Sequence, residues 1–259
     1  MDLQLAGKTA LVTGSCAGIG FAIARRLAAE GAEVVVCGRE QDNPDQAAEK
    51  IAAFGKVRAI HANPGTVEGA KILIEAVPEV DILVNNLGIY EFKNFTDITD
   101  EDLHRFYEVN VVSGARLSRH YFPKMLAKGW GRIIFTSSEA ALVVPGDMIH
   151  YASSKAAQLA MARGLAELTR GTAVTVNSLI VGGVRSDNAI AALCAAAQTT
   201  DAAEAERQFF TAMRPLSLIQ RLIDPEEIAA QAALLASPLG APTNGAAIRL
   251  DGGTVPTPA

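Results

Sequence analysis

Short apolar runs alternate with helix-like stretches along nearly the whole chain, and this alternation limits the folds open to it. Thr9 to Thr13 is a short apolar run that reads as a strand. Ile19, Ile23 and Leu27 follow at helical spacing, and Gly31 can end that helix. The same rhythm predicts strands at Val34 to Cys37, Val57 to His61, Ile82 to Val84, Ile133 to Ser137, Val174 to Ile180 and Ala246 to Leu250. Helices are predicted over Ala47 to Phe54, Asp100 to Leu126 (capped by Thr99 or Asp100), Tyr151 to Thr169, and Pro225 to Ala236 behind Asp224. Strand then helix, repeated, means a parallel sheet covered on both faces, because such strands are buried on both sides. The chain is therefore expected to be one α/β domain over residues 1–259, doubly wound around a parallel sheet. Only 185–222 breaks the rhythm. It is Ala-rich, carries the pair Phe209-Phe210, and reads as an irregular lid over a site.

Composition narrows the class. Hydrophobic residues make up 49% of the chain, enough for a sizeable core, and the net charge of −5 gives no support for nucleic-acid binding or a basic membrane surface. No apolar run approaches the roughly 18 residues of a membrane helix, and Met1 to Leu5 lacks the start of a secretion signal. Cys16, Cys37 and Cys194 are widely spaced and read as reduced thiols, with no disulfide framework and no metal site. A cytoplasmic protein is expected.

The loop Thr13-Gly14-Ser15-Cys16-Ala17-Gly18-Ile19-Gly20 joins the first strand to the first helix. Gly14 permits a tight turn, Gly18 lets backbone approach a ligand, and Gly20 lets the helix pack on the sheet. The helix start presents free N–H groups and a partial positive charge, which suit a pyrophosphate. An acid at the end of the second strand would hold both ribose hydroxyls of a dinucleotide, but the chain has Gly38 and then Arg39. A guanidinium suits a 2′-phosphate, so NADP(H) is favoured and NAD(H) stays open.

Tyr151 and Lys155 stand one turn apart on one helix face. A nearby ammonium favours phenolate, and so is expected to lower the Tyr151 pKa from its ordinary value of about 10. Ser138, thirteen residues upstream, could hold a substrate oxygen at the same point.

Together these residues resemble the short-chain dehydrogenase/reductase family over essentially the whole chain. The Thr13 to Gly20 loop is similar to its cofactor fingerprint, and Asn85-Asn86-Leu87-Gly88 to its segment after the fourth strand. Asn110, in Val109-Asn110-Val111, resembles its helix asparagine, and Ser138, Tyr151 and Lys155 fall at its catalytic spacing. Asn177 to Ser186 and Asp251-Gly252-Gly253 match its later motifs. The resemblance implies a Rossmann-type sheet of seven strands and hydride transfer between a nicotinamide and a carbonyl or alcohol carbon. It makes Tyr151 the acid or base, Lys155 its partner and a ribose ligand, Ser138 the holder of the reacting oxygen, and Asn110 the anchor of a water at a local helix break. Implied cofactor contacts are Gly14, Ser15, Cys16, Gly18, Ile19, Gly20, Arg39, Asn63, Asn86, Gly88, Tyr151, Lys155, Gly182, Val184 and Ser186. The chain departs from the family pattern at Leu87, Asn63, Val181 and Ser186. Val181, in place of a proline, is expected to loosen or shift the nicotinamide loop.

Val143, Val144, Met148 and Ile149 read as one pocket wall, and Phe209, Phe210 and Met213 as the lid's share, so the expected substrate is apolar or mixed. Glu139 either lines the substrate mouth or is solvated, and His150 is structural or at the rim. A homotetramer or homodimer is expected by resemblance, with Val112, Leu117, Tyr121, Leu159 and Leu165 compatible with helix–helix contacts and Pro256 to Ala259 able to close over a neighbour's site. The rival reading is a non-catalytic NADP(H) sensor, against which the full set of Ser138, Tyr151, Lys155 and Asn110 argues.

Overall fold

The computed structural model describes residues 1–257; Pro258 and Ala259 of the expected C-terminal closure lie outside the described residues. Strands β1 (Thr9–Val12), β2 (Glu33–Gly38), β3 (Val57–His61), β4 (Ile82–Asn85), β5 (Gly131–Ser138), β6 (Val174–Val181) and β7 (Ala247–Leu250) form one sheet in the order β3-β2-β1-β4-β5-β6-β7. Every pairing is parallel. Helices α1 (Gly18–Ala29), α2 (Pro44–Ala52), α3 (Val67–Ala76), α4 (Asp100–Tyr107), α5 (Ser113–Lys128), α6 (Ile149–Glu167), α7 (Asp187–Ala197), α8 (Ala202–Ala212) and α9 (Pro225–Ala236) connect them. This is the expected Rossmann-type single domain.

Successive strand residues point to opposite faces, which splits the core in two. Val12, Val36, Val84, Ile134 and Leu179 pack with Ile23 and Leu27 of α1 and Ile228 and Leu235 of α9. Their neighbours Leu11, Val35, Leu83, Ile133 and Val176 pack on the other face with Leu73 of α3, Leu117 and Tyr121 of α5, and Ala162 of α6. All eight residues of β5 and of β6 are buried. Strand order reverses between β1 and β4, so their carboxyl ends diverge and leave a crevice.

Three expectations change. The single helix that periodicity predicts from Asp100 to Leu126 is divided into α4 and α5 by a π turn at Glu108–Val112, where the resemblance implied a local break at Asn110. Thr99 caps α4, with Asp102 closing the reciprocal bond to the Thr99 backbone. The segment 185–222, expected to be irregular, contains α7 and α8. Ser186 Oγ caps the first by accepting from Ala189 N at 3.1 Å, Asp201 Oδ1 caps the second by accepting from Ala203 N at 2.9 Å, and alanine between them favours helix. Leu117 and Tyr121, expected to be available for a subunit contact, are fully buried in the chain's own core.

No helix among the described residues is long and apolar enough to cross a membrane.

Candidate active site

A cavity of about 450 Å³ opens at the carboxyl ends of β1, β4, β5 and β6. Ser138, Tyr151 and Lys155 line it together with Gly18, Ile19, Asn86, Gly88, Gly182, Val184 and Ser186, all expected contacts. Gly14, Ser15, Cys16, Gly20, Arg39, Asn63 and Asn110 do not line it. The Ser15 side chain, expected to be a cofactor contact, is buried. Its hydroxyl donates to Val12 O at 2.7 Å and accepts from Cys37 N at 3.0 Å, which ties β1 to β2. Burial raises the Cys16 thiol to about 11 and the Cys37 thiol to about 12, so both stay neutral near pH 7. Asn63 Oδ1 accepts from Gly65 N at 3.0 Å and shapes its own loop.

The glycine loop fits an anionic ligand. Gly18 has φ +55°, a conformation that L side chains rarely adopt, and the space where a side chain would project is open. No side chain caps the N-terminus of α1, which leaves its first N–H groups facing the cavity. Asn86 braces the loop from β4: its Nδ2 donates to Thr13 O at 3.1 Å and to Gly14 O at 3.2 Å.

Ser138 is the last residue of β5, and Tyr151 and Lys155 lie in the first turns of α6. The loop after β4 runs close to α6 at Gly88, where a Cβ would stand 3.2 Å from Lys155 Nζ. The ammonium is buried and donates to Thr136 O at 2.9 Å. Burial lowers its pKa to about 8. The Tyr151 pKa, expected to be lowered by Lys155, is instead raised. Desolvation of the phenolate dominates, the Ser138 hydroxyl within hydrogen-bonding reach opposes it, and Lys155 is not among the causes. The ammonium lies 5.8 Å from the Tyr151 ring centroid. The phenol thus keeps its proton at neutral pH, with the Ser138 hydroxyl beside it.

Asn110 sits in the π turn. Its Nδ2 donates to Ile89 O at 3.0 Å and to Ser154 Oγ at 2.9 Å, and its Oδ1 accepts from Ile89 N at 2.8 Å. Its backbone carbonyl accepts from Gln158 Nε2 at 2.6 Å. Ser154 and Gln158 were not singled out by sequence reasoning. Their signal was present, because Tyr151, Ser154, Lys155 and Gln158 recur at helical spacing on one face.

Substrate-side expectations are redistributed. Met148 and Phe209 line the main cavity, whereas Val143, Val144 and Met213 line a smaller one of about 160 Å³. Phe210 is buried, and Ile149 lines neither cavity. Arg185, Leu193 and Arg214 of the expected lid segment join the main wall, as do Tyr90 and Phe92, which sequence reasoning did not single out. Glu139 is buried and lines both cavities. His150 is fully buried against Phe106, 4.3 Å between ring centroids, and burial lowers its pKa; it is no rim residue. The loop after Val181 is not loose. Gly182 N donates to Leu250 O at 3.0 Å, and Val184 bridges Ile223.

The family model for short chain dehydrogenases matches residues 8–193. The chain belongs to that family. This short-chain dehydrogenase is 46% identical over 260 residues to the uncharacterized oxidoreductase YvaG of Bacillus subtilis, covering 98% of each chain. It is 32% identical over 253 residues to the 3-oxoacyl-[acyl-carrier-protein] reductase FabG of Vibrio cholerae, covering 97% of this chain and 98% of FabG. Among solved structures it resembles L-sorbose reductase from Gluconobacter frateurii complexed with NADPH and L-sorbose, with TM-score 0.92, 29% identity, and 99% and 100% coverage. The chain is an NAD(P)-dependent oxidoreductase of the carbonyl–alcohol class. Among the described residues no cluster of His, Cys, Asp and Glu could hold a metal ion.

Proposed function

We propose that this short-chain dehydrogenase reduces a carbonyl to an alcohol with NADP(H), Tyr151 being the proton donor and, in the reverse direction, the acceptor. The single observation that carries this reading is the meeting of Ser138, Tyr151 and Lys155 with the uncapped start of α1 in one cavity. Bound nicotinamide would supply or take the hydride. The loop from Gly14 to Gly20, Asn86 and Gly88, and the segment Gly182 to Ser186 would hold it, with Lys155 at its ribose. The chain's own groups do the rest. Ser138 Oγ and the Tyr151 phenol hold the carbonyl oxygen, which gains negative charge as the carbon is reduced. The raised phenol pKa keeps the proton on Tyr151 until that charge develops, and the phenol then delivers it to the oxygen. Lys155, with the π-turn network of Asn110, Ser154 and Gln158 behind it, is the route by which the phenol regains its proton.

The NADP(H) preference rests on Arg39, whose exposed guanidinium stands just beyond β2. Asp42 pairs with it, accepting from Nε through Oδ2 at 2.9 Å and from Nη2 through Oδ1 at 2.8 Å. The L-sorbose reductase of similar fold was solved with NADPH. The substrate pocket is mixed, with Met148, Phe92 and Phe209 beside charged Glu139 and Arg214. The 185–222 segment acts as its lid. Val112, Leu159 and Leu165, half-buried on α6 and at the start of α5, remain for contact with a second copy.

NADPH oxidation against a panel of ketones, wild type beside Tyr151→Phe, tests the reading. Turnover by wild type alone, with NADPH binding equal in both proteins, is expected. Tight NADPH binding without turnover of any carbonyl would favour the sensor reading.

A further inference from the structure

Arg39 is the first residue beyond β2 and opens a short helical turn, Glu40–Asp42. A single carboxylate at the end of that turn takes its backbone donor and two of its side-chain donors. Asp42 Oδ2 accepts from the Arg39 backbone N at 2.9 Å and from Nε at 2.9 Å, and Oδ1 accepts from Nη2 at 2.8 Å. Each partner holds the other charged. Their shared side-chain hydrogen bonds are the first cause of a lowered carboxyl pKa at Asp42 and a raised guanidinium pKa at Arg39.

The same carboxylate borders the glycine loop. A Cβ at Gly38, the last residue of β2, would stand 3.1 Å from Asp42 Cβ and 2.5 Å from Cys16 Sγ. Burial is the first cause of the raised Cys16 pKa, and the charge of Asp42 is the second. The other acids of this region are turned to a different partner. Glu40 Oε2 lies 2.6 Å from His61 Nδ1, and Asp45 Oδ2 lies 2.8 Å from His61 Nε2, at the end of β3.

Capping the turn needs only the bond to the Arg39 backbone. The two bonds to the side chain use the fork of N–H groups that a guanidinium would offer to a phosphate. An anion that comes to Arg39 has to displace Asp42 from Nε and Nη2, or share the guanidinium with it, and in either case it meets a like charge. A ribose with both hydroxyls free makes no such demand.

We propose that Asp42 is a specificity-determining residue that competes with the 2′-phosphate of NADP(H) for the Arg39 guanidinium, and so holds the preference over NAD(H) below what Arg39 alone would give. The inference rests on the NADP(H) reading of Arg39.

Fluorescence titration of the whole protein with NADPH and with NADH, without any carbonyl present, tests it, because the two ligands differ only by the 2′-phosphate. Asp42→Asn keeps an acceptor for the Arg39 backbone N and loses the charge. It should bind NADPH about threefold to tenfold tighter, the scale of releasing one exposed ion pair and its repulsion, and NADH within about twofold of wild type. Asp42→Ser, also a good cap, carries the test should the asparagine protein fold poorly. In an Arg39→Ala background the Asp42→Asn change should alter NADPH affinity by less than about twofold, since no guanidinium is left to release. Glu40→Gln removes an equal charge from the same turn without removing a bond to Arg39, and should also stay within about twofold. Unchanged NADPH affinity in Asp42→Asn overturns the proposal. So does an equal gain in Glu40→Gln or in the Arg39→Ala background, which would make the effect one of general charge. An equal loss for both dinucleotides overturns it as well, leaving Asp42 a cap and nothing more. If Arg39→Ala weakens NADPH and NADH alike, with or without Asp42, the NADP(H) reading falls and takes this inference with it. If Arg39→Ala weakens NADPH selectively while Asp42→Asn has no effect, this inference falls alone.

Discussion

The wall formed by β5, β6 and α6 and the cover formed by α7 and α8 face each other across one cavity, yet they are built in opposite ways. β5 and β6 are buried along their whole length, and their paired register runs from Gly131–Val174 to Ser138–Val181. Lys155 and Gln158 of α6 are buried against them. By contrast α7 has no buried residue, and α8 is seated only through Ala205, Glu206 and Phe210. Glu206 fastens that seat, with Oε1 and Oε2 accepting from Arg185 Nη2 at 2.9 and 2.7 Å and Oε1 accepting from Leu222 N at 2.6 Å. Proton transfer needs atoms held to a fraction of an ångström, which a packed parallel sheet provides. In the proposed function substrate entry needs a cover that can move without unfolding the core, and the shallow seating of α7 and α8 suits that role.

Lys155→Met is the strongest way to break this contrast. Activity should fall about a thousandfold, because the phenol loses its proton route. Stability should rise by about 3 kcal/mol at pH 7, because the ammonium no longer has to be buried. Denaturant unfolding of both proteins checks this, and a destabilised variant would show that the bond to Thr136 O outweighs desolvation.

The pH dependence of stability sharpens the same point. Lys155 has a folded pKa of about 8 against an ordinary value of 10.5, so the unfolded chain binds the extra proton between the two. Wild-type stability should therefore gain from this group as pH rises through that window, and its gap to Lys155→Met should close. A gap that stays constant from pH 7 to above pH 10 would place the pKa shift elsewhere.

Away from both regions, Arg39→Ala should weaken NADPH binding about tenfold and NADH binding much less, measured by fluorescence titration. Equal losses would remove the case for the 2′-phosphate. The smallest effect belongs to the cover. Leu193→Ala on α7 should raise KM for apolar ketones about threefold, with kcat and the melting temperature nearly unchanged, since Leu193 lines the cavity without being buried. A large drop in melting temperature would mean that α7 is part of the core after all.

The strands were readable because burial on both faces leaves short β-branched runs such as Val34 to Val36, and Val57–His61 coincides with its sequence-based bounds. Ends of elements were readable where a cap is local, as at Thr99 and Asp224. The π turn at Glu108–Val112 was not visible in periodicity, because one added residue in a turn shifts the apolar pattern only slightly. The helices of 185–222 were missed because alanine-rich stretches without a clear apolar stripe carry no periodic signal, although Ser186 and Asp201 stood at their caps.

Residue order alone determined the sheet class, the glycine loop before α1, and the helical stripe from Tyr151 to Gln158, since each depends on neighbours within a few positions. Tertiary structure alone decided that Tyr151 is acidified by nothing stronger than Ser138, that Ser15 ties strands together, and that Glu139 meets Arg214 from 75 residues away. The physical reason is range. Backbone geometry and capping act within a turn, whereas desolvation and ion pairing depend on which distant segments exclude water from the same place.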